Sequence, residues 1–539
     1  MLFGRGGRVG MKGRPWALYG VLALAALLRF YRLDFDLPEV PYVDSFKFVG
    51  HAGRMLEQGS LRPLYFQYPG LFSGLLACLY WLFGAESVYW RHLIGRIVAA
   101  LCGVGMVGAA WSAAGKVCGT RGRLAAALLT ALSIECLTFS RVTATDTLMT
   151  MLMTLAMATL AGMPTQVGPY ALSGTLIGLA AGTKYTGIFA SVFLAATAIA
   201  AAYKAKKRSL LFKGLGAGGA CCVAAFLLTT PYFIPDFGRY LRSFASELAT
   251  QTYGAIGEVQ GGYLDLLISK TPSWSTPWLG YSLWVNAGPL LFCAGLVALA
   301  AGLSTRFGFA PFLYAAYVVS YIAAISSPGH AKSARLLIPV LPILYSLTGC
   351  FLERLSRDRG RAYVFLLGLL LAVPAFKTGG TMSRLRRPST NRLARAWARE
   401  NIPAGSKVFM SPFFTHDFFG LPFAFILHEQ VGTRQYGFPE AVGSSPERDP
   451  IYYPGFVDEL QAAGVDALVL NSYYDGAFSP VPENLRWFPR SVEEYRKFME
   501  RVRRKAEPVY SVRGLSDGRF GPDIGIWRFT PPAPPATRR

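Results

Sequence analysis

Charge is scarce in this sequence. Asp, Glu, Lys and Arg together make up 16% of its 539 residues, against about 25% in a soluble globular chain. That shortage excludes a wholly soluble protein. Cysteine is absent where it would do redox or metal chemistry. All eight cysteines (78, 102, 118, 136, 221, 222, 293 and 350) lie in or beside apolar runs, and none falls in the polar C-terminal part. A disulfide framework and a Cys-x-x-Cys metal site are thereby excluded, and each thiol reads as a small apolar packing residue. In its polar C-terminal part the sequence also lacks a GxGxxG fingerprint, a Walker loop and a GxSxG nucleophile turn. It has no internal repeat of the kind that marks many transporters.

Apolar length is what the chain does have. Hydrophobic residues make up 52% of it, mean hydropathy is +0.33, and apolar runs of about 17–25 residues recur, each long enough for a membrane helix. The net charge of +23 sits mainly in short loops between these runs, where it sets orientation. No basic stripe interleaved with aromatics appears, so nucleic acid is not a partner. The lipid bilayer is. The first run, 15–33, follows Arg5, Arg8, Lys12 and Arg14 in the manner of a signal peptide. No small-residue cleavage site follows it, so it is expected to persist as a helix.

One short segment decides the topology. The stretch 69–84 is marginal for a span. If it crosses, the basic loops 116–123 and 204–213 fall on the side opposite the basic N-terminus. If it lies in the interface or re-enters, those loops and 354–361 all return to the cytoplasmic side, as the positive-inside rule prefers. The second count predicts eleven spans near 15–33, 91–114, 123–140, 147–162, 169–183, 185–203, 210–230, 279–302, 309–326, 334–352 and 362–377. Residues 1–377 then form a membrane module, with the N-terminus cytoplasmic. Residues 378–539 form a soluble, extracytoplasmic α/β domain. Helices are expected at 391–401, 457–463 and 492–506, strands at 407–410, 466–471 and 524–529, and a frayed Pro-rich tail at 531–539.

On this count several polar residues converge at the outer boundary, where ionisable groups at membrane depth are functional suspects. Asp44 lies in Pro41-Tyr-Val-Asp-Ser-Phe-Lys-Phe48, among interfacial aromatics. It reads as a solvated loop acid, as a helix N-cap, or as a working carboxylate. Asp146 opens an apolar helix and reads as a cap, a ligand, or both. Glu135 lies inside an apolar run, to pair with Arg141 or to reach toward water. Lys184, in Gly178-Leu-Ala-Ala-Gly-Thr-Lys-Tyr-Thr-Gly187, breaks a long apolar region. An ammonium there suits an anionic headgroup, and the alternative is a lysine snorkelling from a helix end. His330, Lys332 and Arg335 make a second positive cluster that either meets phosphate or caps the outer side.

The order of these features resembles the GT-C superfamily of polyprenyl-phosphate-sugar glycosyltransferases. The likeness is to bacterial relatives of protein O-mannosyltransferases, the lipid A aminoarabinose transferase and rhizobial lipid A galacturonosyltransferases. It is carried by Leu28-Arg-Phe-Tyr-Arg-Leu33, then Asp44, Tyr68-Pro69, Gly84, Arg91, Ser140-Arg141, Asp146 and the Gly178–Gly187 stretch. His330, Arg335-Leu-Leu-Ile-Pro339 and Pro342 continue it, and Ala396-Trp-Ala-Arg-Glu-Asn-Ile-Pro-Ala-Gly-Ser406 resembles the start of such proteins' soluble domain. Many relatives carry an Asp-Glu pair where this chain has Asp44-Ser45.

The resemblance implies a mainly α, GT-C-type fold in the inner (plasma) membrane. It also implies inverting transfer of a hexosyl or pentosyl group from a polyprenyl-phosphate donor to lipid A, a glycan or a protein hydroxyl on the outer face. Asp44 would be the base, Asp146 would orient the acceptor or bind a divalent cation if one is used, and Lys184, His330 and Arg335 would hold the donor phosphate. A transporter or flippase for a lipid-linked sugar, or a non-catalytic headgroup binder, are the competing readings.

Overall fold

A computed structural model of the chain describes residues 15–38, 43–63, 66–253, 259–260, 264–270, 282–326, 331–332, 334–356, 359–411, 421–426, 428–431, 452–487 and 489–530. The Pro-rich tail 531–539 lies outside them. Helix α1 (Pro15–Phe30) is followed by the amphipathic α2 (Val43–Glu57), the short α3 (Leu71–Phe83) and the long α4 (Val88–Ala114). Next come α5 (Thr120–Leu132), α6 (Ile134–Phe139), α7 (Asp146–Leu160), α8 (Gly168–Thr183), α9 (Ala190–Ala205), α10 (Arg208–Thr229) and α11 (Phe237–Tyr253). The helical part closes with α12 (Asp265–Ile268), α13 (Leu283–Ala287), α14 (Pro289–Leu303), α15 (Phe309–Ile325), α16 (Leu341–Ser356) and α17 (Gly360–Arg384). A small ribbon pairs β1 (Val259–Gln260) with β2 (Ala331–Lys332).

The fold is a mainly α, polytopic membrane bundle with a small α/β unit at its C-terminal end. Among the described residues, five helices are long and apolar enough to cross a membrane, and five shorter apolar helices accompany them. Helix α3 is one of the short ones: its 13 residues rise only about 20 Å, against a hydrocarbon core of about 30 Å. Helices α8 and α10 pack at close range because Gly174 and Gly178 face the backbone of Gly218 and Cys222, the small-residue contact that lets membrane helices approach.

Two expected spans are corrected. The run 123–140 is broken at Ser133, whose extended backbone and hydroxyl cap a new helix, α6, by accepting from Cys136 N. The run placed at 279–302 begins as a helix only at Pro289, after Gly288 at φ 81° ends α13. Glu135 does not pair with Arg141; Ser133 Oγ donates to it at 2.8 Å.

The bundle has two chemically distinct ends. At one, Glu353 Oε2 accepts from Gly119 N and Gly122 N at 2.8 and 3.0 Å, Tyr363 OH donates to Arg121 O at 2.6 Å, and Arg354 Nη2 donates to Phe307 O at 2.9 Å. The basic loops therefore gather there. Helix α16 runs from this end to the other, where the N-terminus of α7 and the 3-10 helix Ala334–Val340 stand.

At that second end a guanidinium clamp fixes the end of α1. Arg141 Nη1 donates to Leu28 O and Arg29 O at 2.7 and 2.9 Å, and Nη2 to Tyr31 O and Arg32 O at 2.7 and 3.2 Å. Arg96 Nη1 donates to Leu33 O and Phe35 O at 2.8 and 2.6 Å. The carbonyls of Leu28 and Arg29 are ones that a helix end leaves without intrahelical partners, the others belong to the turns that follow α1, and cations complement the helix dipole there.

Beyond α17 comes α18 (Thr390–Asn401), capped by Ser389 Oγ accepting from Arg392 N at 3.1 Å. A five-stranded sheet follows, built from β3 (Lys407–Met410), β4 (Ala424–Ile426), β5 (Ala467–Asn471), β6 (Ala506–Val512) and β7 (Ile524–Phe529) in the order β4-β3-β5-β7-β6. Strands β4, β3 and β5 are parallel; β7 and β6 complete the sheet antiparallel. Helix α18 packs on one face through Ala394 and Ala398. Helices α19 (Phe456–Ala462) and α20 (Pro489–Lys505) cover the other through Phe456, Leu460, Phe498 and Val502.

Candidate active site

Helix α2 lies against the bundle because its apolar residues recur at helical spacing: Phe48, Ala52 and Met55 are buried, while Lys47 and Arg54 are not. Asp44 stands in its first turn, where a carboxylate is favoured by the helix dipole. Arg335 Nη1 donates to Asp44 Oδ2 at 2.5 Å, and Lys47 Nζ lies 3.5 Å from Oδ1. Burial works to raise the Asp44 pKa. The charges of Arg335 and Lys47, the Arg335 hydrogen bond and the charge of Lys184 outweigh it, so the carboxyl titrates well below the usual carboxylate range. At neutral pH Asp44 is an anion.

Lys184 stands where α8 stops. Its backbone is extended (φ −154°, ψ 134°), between α8 and the 3-10 helix Tyr185–Phe189. Its ammonium donates to Asp146 Oδ1 at 2.8 Å. Asp146 is the first residue of α7, with Thr145 in the capping position, so its carboxylate is not the cap but a partner of Lys184.

Four of the five site residues singled out from sequence are thus brought together as two ion pairs, Asp44–Arg335 and Asp146–Lys184. The charge of Lys184 also reaches Asp44. All four side chains are largely buried, from 5% exposure for Asp146 to 18% for Asp44. His330, the fifth, lies outside the described residues.

Other residues around the site were not anticipated. Lys47 follows Asp44 at i+3, a spacing that places both on one helix face. His51, at i+7, is buried, and burial together with Lys47 and Arg54 pushes its imidazole down to about 4, so it is neutral at pH 7. Arg62 pairs in bidentate fashion with Asp236 at 2.8 and 2.6 Å, and Tyr185 OH donates to Phe66 O at 3.1 Å. These contacts lash the first polar loop to the start of α11 and to the residue after Lys184. Phe46 meets His92 edge-on at 5.0 Å between ring centroids.

The donor set does not fit a divalent ion. Both carboxylates are engaged by cations, and among the described residues no three His, Cys, Asp or Glu side chains converge.

The helical bundle with its small C-terminal sheet recurs in solved structures. Two crystal structures of ArnT from Cupriavidus metallidurans have this architecture. The one bound to undecaprenyl phosphate is 12% identical, covering 95% of this chain and 98% of that one with a TM-score of 0.53. The apo one is 14% identical, covering 95% and 97% with a TM-score of 0.54. The archaeal oligosaccharyltransferase AglB from Archaeoglobus fulgidus, in complex with an inhibitory peptide and a dolichol-phosphate, is 12% identical. That match covers 94% of this chain and 74% of that one, with a TM-score of 0.53. A family profile described as dolichyl-phosphate-mannose-protein mannosyltransferase matches residues 69–232. No curated protein sequence matches the chain. The chain has the GT-C fold.

Proposed function

We propose that this protein is an inverting glycosyltransferase that moves a hexosyl or pentosyl group from a polyprenyl-phosphate-linked donor to an acceptor hydroxyl on lipid A, another glycan or a protein. The observation that carries the reading is the meeting of Asp44, Arg335, Lys184 and Asp146 at one end of the bundle. A carboxylate kept ionised beside two phosphate-binding cations is what a direct displacement at the anomeric carbon needs. The ligands of those neighbours, undecaprenyl phosphate and dolichol-phosphate, support a lipid phosphate as the leaving group.

In this reading the acceptor oxygen forms a bond to the anomeric carbon as the carbon–oxygen bond to phosphate breaks. The hydroxyl proton passes to Asp44, and the lipid phosphate leaves with the electron pair. Lys184 and Arg335, with His330, hold the growing negative charge. Asp146 fixes the Lys184 ammonium and orients the acceptor. Residues 1–377 form the transferase module, and 378–539 form a domain on the same side of the membrane as the site. The basic loops gather at the opposite end, which under the positive-inside rule supports a site outside the cytoplasm.

The test is Asp44→Asn in purified protein supplied with a lipid-phosphate sugar. General base catalysis is worth about 10²–10⁴-fold, and a loss of that size is expected. Undiminished transfer overturns the assignment.

A further inference from the structure

A second cationic site lies under the C-terminal unit. Arg29, Arg96 and Arg141 are buried together where α1, α4 and the turn before α7 meet, at 0%, 4% and 8% exposure. Arg96 and Arg141 satisfy the carbonyls at the end of α1, but dipoles do not neutralise buried guanidinium charge. The carboxylates that act on Arg96 are Asp34 and Asp36. The charges that act on Arg141 are Arg96 and Arg29 themselves. Three cations facing two carboxylates leave a surplus of positive charge. Among the described residues, Arg29 Nε and Nη2 hydrogen-bond to nothing.

Beside this cluster is a cavity of about 50 Å³, lined by Arg96 and Arg141 and by Thr138 and Thr381, with Phe35 and Phe520 also on its walls. The hydroxyls of Thr138 and Thr381 are buried and have no partner among the described residues. A single water needs about 10–15 Å³ of such space, so the cavity has room for more than one water. None of the four paired residues of the candidate active site lines it.

We propose that this cavity binds a phosphate-class anion, with Arg96 and Arg141 supplying charge and Thr138 and Thr381 supplying donors. Two guanidiniums and two hydroxyls match the acceptor oxygens of a phosphate. The site stands at the ends of α1, α6 and α17, the headgroup level of the bundle, so the phosphate belongs to a lipid headgroup or is free in solution. Its filling is felt by the C-terminal unit. Phe520 stands edge-on to Phe35 at 5.4 Å between centroids, and its carbonyl accepts from Thr390 N at 2.9 Å.

Native mass spectrometry of the full chain tests this in two arms: detergent-purified protein with inorganic phosphate, and nanodiscs of phosphatidylcholine with phosphatidic acid. Wild type and Lys184→Ala are each expected to retain a phosphate-bearing adduct in at least one arm. Thr138→Val/Thr381→Val is expected to weaken it about tenfold, the equivalent of about 1.4 kcal/mol. Binding in the phosphate arm alone assigns free phosphate, and binding in the lipid arm assigns a headgroup. If the double variant does not fold, Phe520→Ala, which opens the cavity wall from the C-terminal side, must weaken the adduct likewise. No adduct in either arm, or an adduct that withstands these substitutions, overturns the proposal.

Discussion

Arg335 reaches across 291 positions of sequence to donate to Asp44 at 2.5 Å, and this ion pair sets the charge state of the carboxylate. Replacing Arg335 by Ala removes the largest influence opposing burial, so the Asp44 pKa rises. A base works only when deprotonated. The acid limb of the kcat/KM profile is therefore expected to move to higher pH in Arg335→Ala, and a limb that stays in place refutes the pair's role.

The second pair separates binding from stability. In Lys184→Ala, Asp146 is left as a buried, unpartnered carboxylate, and breaking such a pair costs about 3–5 kcal/mol. Adding Asp146→Asn is expected to restore thermal stability without restoring apparent affinity for the lipid-phosphate donor. Recovery of both would make Lys184 a purely structural residue.

The C-terminal unit carries its own titration. Asp475 is buried, with Ser411 Oγ donating to it at 3.2 Å, and Ser411 in turn contacts Tyr452 OH at 2.9 Å. Burial pushes its carboxyl up to about 7, against the hydrogen bonds from Tyr452, Ser411 and Tyr495. The folded state thus holds a proton that the unfolded state has released, and stability falls as pH rises from the ordinary carboxylate range to about 7. A displacement of that size corresponds to roughly 4 kcal/mol. Asp475→Asn is expected to flatten the dependence of this unit's melting on pH over that window; an unchanged slope counts against it.

Close packing of α8 on α10 has a steric test. A β-carbon at Gly174 would overlap the carbonyl of Gly218, and one at Gly178 the carbonyl of Cys222. Gly174→Val is expected to abolish monodisperse purified protein, whereas Gly216→Ala, with open space around it, leaves yield unchanged.

Much of the fold was legible because apolar length and punctuation are local properties. Strands at 407–410 and 524–529 stand where their sequences placed them, and α19 ends before Gly464, whose φ of 72° is the left-handed stop that glycine supplies. Strand β6 escaped notice because it follows α20 without an intervening turn and contains Pro508. Proline is tolerated there because β6 is an edge strand with an irregular register at 508–510. The break at Ser133 escaped for the opposite reason: one serine in an apolar run carries too little signal to divide it. At the site, each charged residue was conspicuous against its apolar surroundings, but its partner was not. Asp146 and Lys184 lie 38 positions apart, and one sequence does not encode which distant cation meets which acid. The arginine clamp was missed because Arg96 and Arg141 bond to carbonyls, and main-chain acceptors leave no trace in side-chain identity.

That clamp orders the birth of the protein. The carbonyl of Leu28 waits for Arg141, 113 residues further along the chain. As the ribosome feeds the first helix into the membrane, its C-terminal end has no anchor until the α4–α6 hairpin has been threaded behind it. The segment bearing Asp44 hangs from that end. The clamp can close once Arg141 has been made, but Asp44 meets its own partner only when Arg335, 291 positions later, has followed.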